Sequence, residues 1–206
     1  MNTQNTRRNL PILPTLLSLL ACAFGLGIGL ATSAGAAPVT YKIDPDHTFP
    51  SFEADHMGVS VWRGKFNSNS GSVTLDKAAA SGEVDIAIDT ASVDFGQEAL
   101  NKWAAGPDFF DAAKFGPARY KGKLAGFKKG VPTRVVGELT LRGVTRPVNL
   151  QLALFKCIQH PMLKREMCGA DAYGTFKRDA FGIEAGKDYG FKDVALRIQV
   201  EAVAAE

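Results

Sequence analysis

Apolar and polar side chains alternate most strictly over residues 137–155. Leu139 and Leu141 alternate with Glu138, Thr140 and Arg142, and Val148, Leu150, Leu152 and Leu154 alternate with Asn149, Gln151 and Ala153. A period of two puts every second side chain on one face, so this stretch predicts two strands about a tight turn punctuated by Gly143 and Pro147. A hairpin with one greasy face and one polar face does not stand alone in water, so other strands must complete its surface. The same alternation recurs along the chain. It is carried by Val39, Tyr41 and Ile43, by Phe52, Ala54 and His56, by Trp62, Gly64 and Phe66, and by Val73 and Leu75. It continues through Val84, Ile86 and Ile88, through Tyr120, Gly122 and Leu124, and through a closing run of Val194, Leu196, Ile198 and Val200. Residues 68–71, rich in Ser, Asn and Gly, read as a loop. Many short strands at regular spacing predict an all-β sandwich or barrel.

Residues 95–115 break the pattern. Residues 97–104 contain good helix formers and are stopped by Gly106-Pro107, and Asp108 is placed to cap a second short turn. Trp103, Phe109 and Phe110 are too many aromatics for an exposed connection, so this helical insertion is expected to plug or cover one end of the β structure.

The first 36 residues read as an export signal, leaving one domain over residues 37–206. Arg7 and Arg8 form the basic end, residues 10–30 the apolar run, and Ala34-Gly35-Ala36 the cleavage site. Pro11, Pro14 and several glycines interrupt the run, which argues against a membrane anchor. Thr6-Arg7-Arg8-Asn9-Leu10 also resembles a twin-arginine signal, and the general secretory route stays open beside it. Leu19-Leu20-Ala21-Cys22 loosely resembles a lipoprotein box, but the apolar sequence continues past Cys22, which favours a soluble periplasmic protein. The full chain carries a formal charge of +3, and Arg7 and Arg8 leave with the signal. A near-neutral domain with interspersed signs offers no footprint for nucleic acid or for an anionic membrane surface. In an oxidising compartment Cys157 and Cys168 are expected to pair at the ends of a short loop; two free thiols are the alternative, and a metal pair is weaker because His160 is the sole nearby histidine.

Several motifs together resemble the YceI family of secreted lipid-binding proteins. They are His47-Thr48 with Phe52, His56, Gly58, Ser60, Gly64 and Phe66; the box Asp108-Phe109-Phe110-Asp111; the run from Gly137-Glu138-Leu139 through Gly143-Val144-Thr145-Arg146-Pro147-Val148; and Arg178 with Phe181-Gly182. The segment from His160-Pro161-Met162 to Cys168-Gly169-Ala170-Asp171 is similar to a cysteine-bearing branch, while Asn101-Lys102-Trp103 departs from the leucine-bearing helix end expected there. The resemblance implies a lipocalin-like antiparallel barrel of about eight strands with one short helical insertion, holding one ligand in its lumen. It further implies binding, transport or storage of a long isoprenoid, quinone-type or similar lipid, with no cofactor beyond that ligand. A membrane or membrane protein then enters as exchange partner, and a homodimer is compatible with the family.

On this reading the candidate ligand-binding residues are the aromatics Phe52, Trp103, Phe109, Phe110, Tyr120, Phe176 and Phe181, the hairpin's Leu139, Leu150 and Leu152, and His56. His56 either meets a ligand head group or is satisfied by the backbone. Arg178 and Asp111 are assigned to loop support. Two competing readings stand beside this one. A metal-assisted hydrolase would use His47, His56 and Asp46 or Asp55, although no local spacing puts two imidazoles on one face. An interaction module would have its barrel filled by side chains. Ser60 lacks the second glycine of a nucleophile elbow, and no phosphate-binding glycine loop is present, so the expectation is a protein without covalent catalysis.

Overall fold

An alternating strand has one apolar face to hide and two edges to pair, and closing a sheet on itself meets both demands. The computed structural model describes residues 37–189 and 192–206, so the export signal lies outside the described residues. Its strands are β1 (Val39–Ile43), β2 (Phe49–His56), β3 (Ser60–Phe66), β4 (Asn69–Asp76), β5 (Ser81–Ile88), β6 (Val93–Asp94), β7 (Ala118–Ala125), β8 (Arg134–Leu141), β9 (Val144–Pro147), β10 (Leu150–Gln159), β11 (Glu166–Lys177) and β12 (Asp193–Ala204). Helices α1 (Glu98–Ala105) and α2 (Ala112–Phe115) lie between β6 and β7. The pairing order β1-β4-β5-β7-β8-β10-β11-β12, with β12 returning to β1, makes a closed antiparallel barrel of eight strands.

The hairpin read from the alternation keeps one register throughout. Leu141 faces Val144, Glu138 faces Pro147 and Val135 faces Leu150. Arg142 and Gly143 both have positive φ, 50° and 72°. This is the backbone of a two-residue turn whose twist suits a hairpin, and glycine adopts it without strain. Further along, β10 departs from the expectation. A register shift between Leu152 and Leu154 inserts one residue, so Leu154 turns outward and is 56% exposed while Phe155 faces the barrel. One extra residue flips every side chain beyond it, and periodicity alone does not announce the bulge.

Three other expectations are corrected. Residues 69–71 belong to β4 rather than a loop, because the backbone of that stretch pairs with β5. The second helix begins at Ala112 behind Asp111, not at Asp108; Phe109 and Phe110 form the turn between the helices, where Asp111 N–H donates to Gly106 O at 2.7 Å. The stretch between the cysteines is not wholly a loop: the β10–β11 ladder runs on to Gln159 and Glu166, and only residues 160–165 turn. Cys157 and Cys168 face each other across the ladder with Cα atoms 4.0 Å apart, joined as a disulfide.

Three long strands break at one level: β1 gives way to β2 at residues 44–48, β3 to β4 at residues 67–68, and β5 to β6 at the turn Thr90–Ser92. Backbone groups freed at a break need partners. Buried Thr48 and Asn69 supply them at the first two breaks, and buried Thr90 ties the third to the end of α2. The Thr48 hydroxyl donates to Glu201 O at 3.0 Å and accepts from Glu201 N at 3.0 Å, Asn69 Nδ2 donates to Thr48 O at 2.7 Å, and Thr90 Oγ1 donates to Gly116 O at 2.9 Å. Below the breaks β12 pairs with β1, and above them with β2, so β2, β3 and β6 carry the wall past the closed ring.

At the lower end Tyr41, on β1, donates its hydroxyl to Glu166 Oε2 on β11, and Lys77 Nζ donates to Glu166 Oε1 at 2.5 Å. Lys77, followed by Tyr41, holds the Glu166 carboxyl below the usual range, and burial chiefly pushes the Tyr41 phenol up. The folded carboxylate binds its proton less tightly than the unfolded one, so its stabilisation is whole above the ordinary glutamate range and is lost as pH falls through the lowered value. Glu166→Gln should therefore lower the urea midpoint at neutral pH and converge on wild type as acidification carries the pH below the lowered carboxyl value; a difference that stays constant on acidification would exclude the linkage. Reducing the disulfide should lower stability by about 3 kcal/mol through loop-closure entropy, read as a shift in urea midpoint with and without reductant.

Candidate functional site

The inward faces of the eight strands do not meet. They enclose a lumen of about 460 Å³ whose wall is almost wholly apolar. This size lies within the range of small-molecule sites, and a packed core would hold few voids larger than a water. The wall is built by the alternation itself. Val73 and Leu75 come from β4, Val84, Ile86 and Ile88 from β5, Leu139 and Leu141 from β8, and Leu196 and Ile198 from β12. Phe52 reaches in because its β3 partner is Gly64, where a Cβ would lie 2.5 Å from the Phe52 ring.

Of the residues singled out from sequence, Phe52, His56, Trp103, Phe109, Phe110, Tyr120, Leu139, Leu150, Leu152 and Phe176 line this lumen. Phe181 does not. It is 1% exposed and packs edge-on against Phe176 at 5.3 Å, in the 3-10 turn Arg178–Phe181, so it supports the wall from behind. Tyr120 presents its ring, while its hydroxyl donates to Val148 O at 2.9 Å, and burial pushes the phenol pKa up. His47 is on the outer surface with Nδ1 2.9 Å from Asp44 Oδ2, a hydrogen bond that raises the imidazole pKa. It is not in the wall that contains His56, so the local geometry does not bring the two imidazoles together there.

Around the upper end the aromatics form one continuous girdle. His56 stacks on Trp62 with centroids 4.0 Å apart and an 11° interplanar angle. Contacts then run from Trp62 to Phe95 at 6.3 Å, Phe95 to Phe52 at 5.4 Å, Phe52 to Phe66 at 5.6 Å, Phe66 to Phe110 at 5.3 Å, Phe110 to Phe109 at 4.9 Å and Phe109 to Trp103 at 5.3 Å. The edge-on members of this girdle place ring edges on ring faces, the arrangement the ring quadrupoles favour. Rigid rings from β2, β3, α1 and the turn after α1 thereby narrow the opening.

Arg178, expected to support a loop, does so and has a second place as well. Nη1 donates to Ile183 O at 3.0 Å, which fastens the segment after β11, yet the side chain is 3% exposed, lines the lumen and stands 5.4 Å from the Phe109 centroid. Burial lowers its pKa, opposed by Asp179 and Glu184, but a guanidinium keeps its charge. Arg178, His56, Asp55 and Thr48 thus bring polar side chains to a lumen that is otherwise largely apolar. Met57, Phe95, Ile183 and Tyr189, also in the wall, escaped the sequence reading because they sit on turns without a period. Trp62 was within reach, since it shares the face of Gly64 and Phe66.

A family model described as YceI-like domain matches residues 41–204. A UPF0312 protein of Yersinia pestis is 34% identical over 192 residues, which is 92% of this chain and 96% of that protein. The crystal structure of Burkholderia cenocepacia BcnA aligns with a TM-score of 0.62 at 25% identity, covering 78% of this chain and 99% of that one. A polyisoprenoid binding domain from Saccharophagus degradans has the same fold, with a TM-score of 0.59 at 18% identity over 81% of this chain and 99% of that one.

An open lumen and a filled core respond differently to added volume. Ala172, buried in the wall between Leu152 and Ile198, has room ahead of it. Ala172→Phe should weaken binding of an apolar fluorescent probe by about tenfold or more while the melting temperature stays within a few degrees. Unchanged probe binding with a collapse in stability would mean that this face is packed core.

Proposed function

The chain belongs to the YceI-like domain family, and from that premise we propose that it binds one long-chain isoprenoid, of polyprenyl or quinone type, or a similar lipid in the barrel lumen. On this reading it carries or stores the ligand in the periplasm and performs no covalent chemistry. The enclosed apolar lumen behind an aromatic mouth is the observation that carries the proposal. The same fold is found in a domain described as polyisoprenoid binding.

The energetics favour capture by the tail. Burial of apolar surface is worth about 0.8 kcal/mol per CH₂, so a five-carbon isoprene unit contributes up to roughly 4 kcal/mol before the costs of association. A few units give tight binding with little selectivity, because a hydrocarbon wall distinguishes poorly between chains of similar width. Choice among head groups falls to the polar groups of the wall. Arg178 and His56 stand in the wall, and the His56–Trp62 stack offers a flat aromatic face. A flat quinone ring suits that face.

Native mass spectrometry of protein taken from the periplasm, with extraction of the bound material, tests this. The expected result is one lipid per chain, released by organic solvent. Protein without lipid but with stoichiometric zinc would overturn the reading in favour of the hydrolase.

A further inference from the structure

We propose that the mouth of the barrel docks on the surface of a lipid bilayer, with Met57, Val59, Val61, Trp103 and Tyr189 entering the interfacial layer. This inference rests on the lipid-binding reading above and names the partner of the same site. Three separate segments converge on the opening: the β2–β3 turn with Met57 and Val59, α1 with Trp103, and the 3-10 turn Lys187–Tyr189. Met57, Trp103 and Tyr189 line the lumen and yet are 52%, 43% and 66% exposed, so each has one side in the cavity and another in solvent. Val59, at 80% exposed, and Val61 extend the apolar surface along the hairpin. Isolated exposed apolar residues are ordinary, but a rim of them continuous with an apolar cavity is not. Tryptophan and tyrosine, apolar in body and polar at one end, are the residues that favour the membrane–water boundary.

The chemistry of the ligand selects this partner over another protein or a second copy. A tail of three isoprene units forced through water would leave the lumen slower by roughly eight orders of magnitude than one passed directly into hydrocarbon. A mouth seated on the bilayer removes that barrier. The charged side chains among the rim's apolar residues, Asp55, Lys102, Lys187 and Asp188, balance in sign, so docking is driven by apolar insertion and not by attraction to anionic lipid. The β10–β11 arm carries another exposed apolar group, Leu154, Ile158, Met162 and Leu163, but these are outside the lumen wall and serve as a control.

The test uses the processed protein loaded with dansyl-labelled geranylgeraniol and mixed with phosphatidylcholine vesicles. Transfer should rise in proportion to vesicle concentration and be insensitive to salt. The double variant Val59→Asp, Val61→Asp should lower that slope about tenfold or more and abolish co-flotation with vesicles, while its capacity for probe delivered from ethanol stays at the wild-type level. Met162→Asp should change neither. A transfer rate independent of vesicle concentration, or an unaltered slope in the double variant, would overturn the docking proposal. So would a rim substitution whose sole effect is on self-association. Failure of wild type to take up probe from ethanol would count against lipid binding itself, and co-flotation would still decide whether the mouth meets a bilayer.

Discussion

Pairing of β1 with β12 closes the sheet, and the lumen depends on that closure. An eight-stranded antiparallel sheet left open would expose two edges and would have to fold its apolar face against a second layer. Closed, it needs no second layer, and its inner face is removed from water whether or not side chains fill the middle. The long β12 makes this possible, because one of its edges serves β11 along nearly its full length while the other is shared between β1 and β2.

Sharing that edge requires a break, and the break recurs in the next two strands at the same level. Thr48 and Asn69 are buried polar residues because the interrupted ladders leave backbone groups that must be paired, and buried Thr90 ties the third break to the end of α2. Their hydrogen bonds let β2, β3 and β6 leave the ring and form an upper collar. The helical insertion packs its aromatics on the inner side of this collar, so the end held by Tyr41, Glu166, Lys77 and the disulfide differs in kind from the end held by the aromatic girdle. One end is fastened by polar and covalent links. The other is gathered by rings, with Arg178 behind Phe109, and it is where polar chemistry and exposed apolar surface meet the lumen.

This division of labour fits the binding of a lipid. A uniform hydrocarbon wall supplies affinity and asks little of the ligand beyond length and flexibility. Discrimination needs polar groups, and Asp55, His56 and Arg178 are the ones the wall holds.

Much of this was present in the chain itself. Alternation at period two identified the strands, the turn at Gly143 and the inward positions of Phe52, Tyr120, Leu139 and Leu150, because side-chain direction in a strand is a local property. The aromatic-rich insertion announced a plug for the same reason: so many rings in one connection must be covered. Other features depend on partners distant in sequence. Leu154 faces out because β10 bulges against β11, Phe181 supports the wall because Phe176 stands before it, and Arg178 reaches the lumen because its turn folds back over Phe109. The hairpin illustrates the boundary. Its sequence determined that Leu139, Leu150 and Leu152 share a buried face, whereas only the number of strands and the closure of the ring decided that this face borders a cavity, since two faces meet as a core or stand apart as a lumen according to the circumference around them.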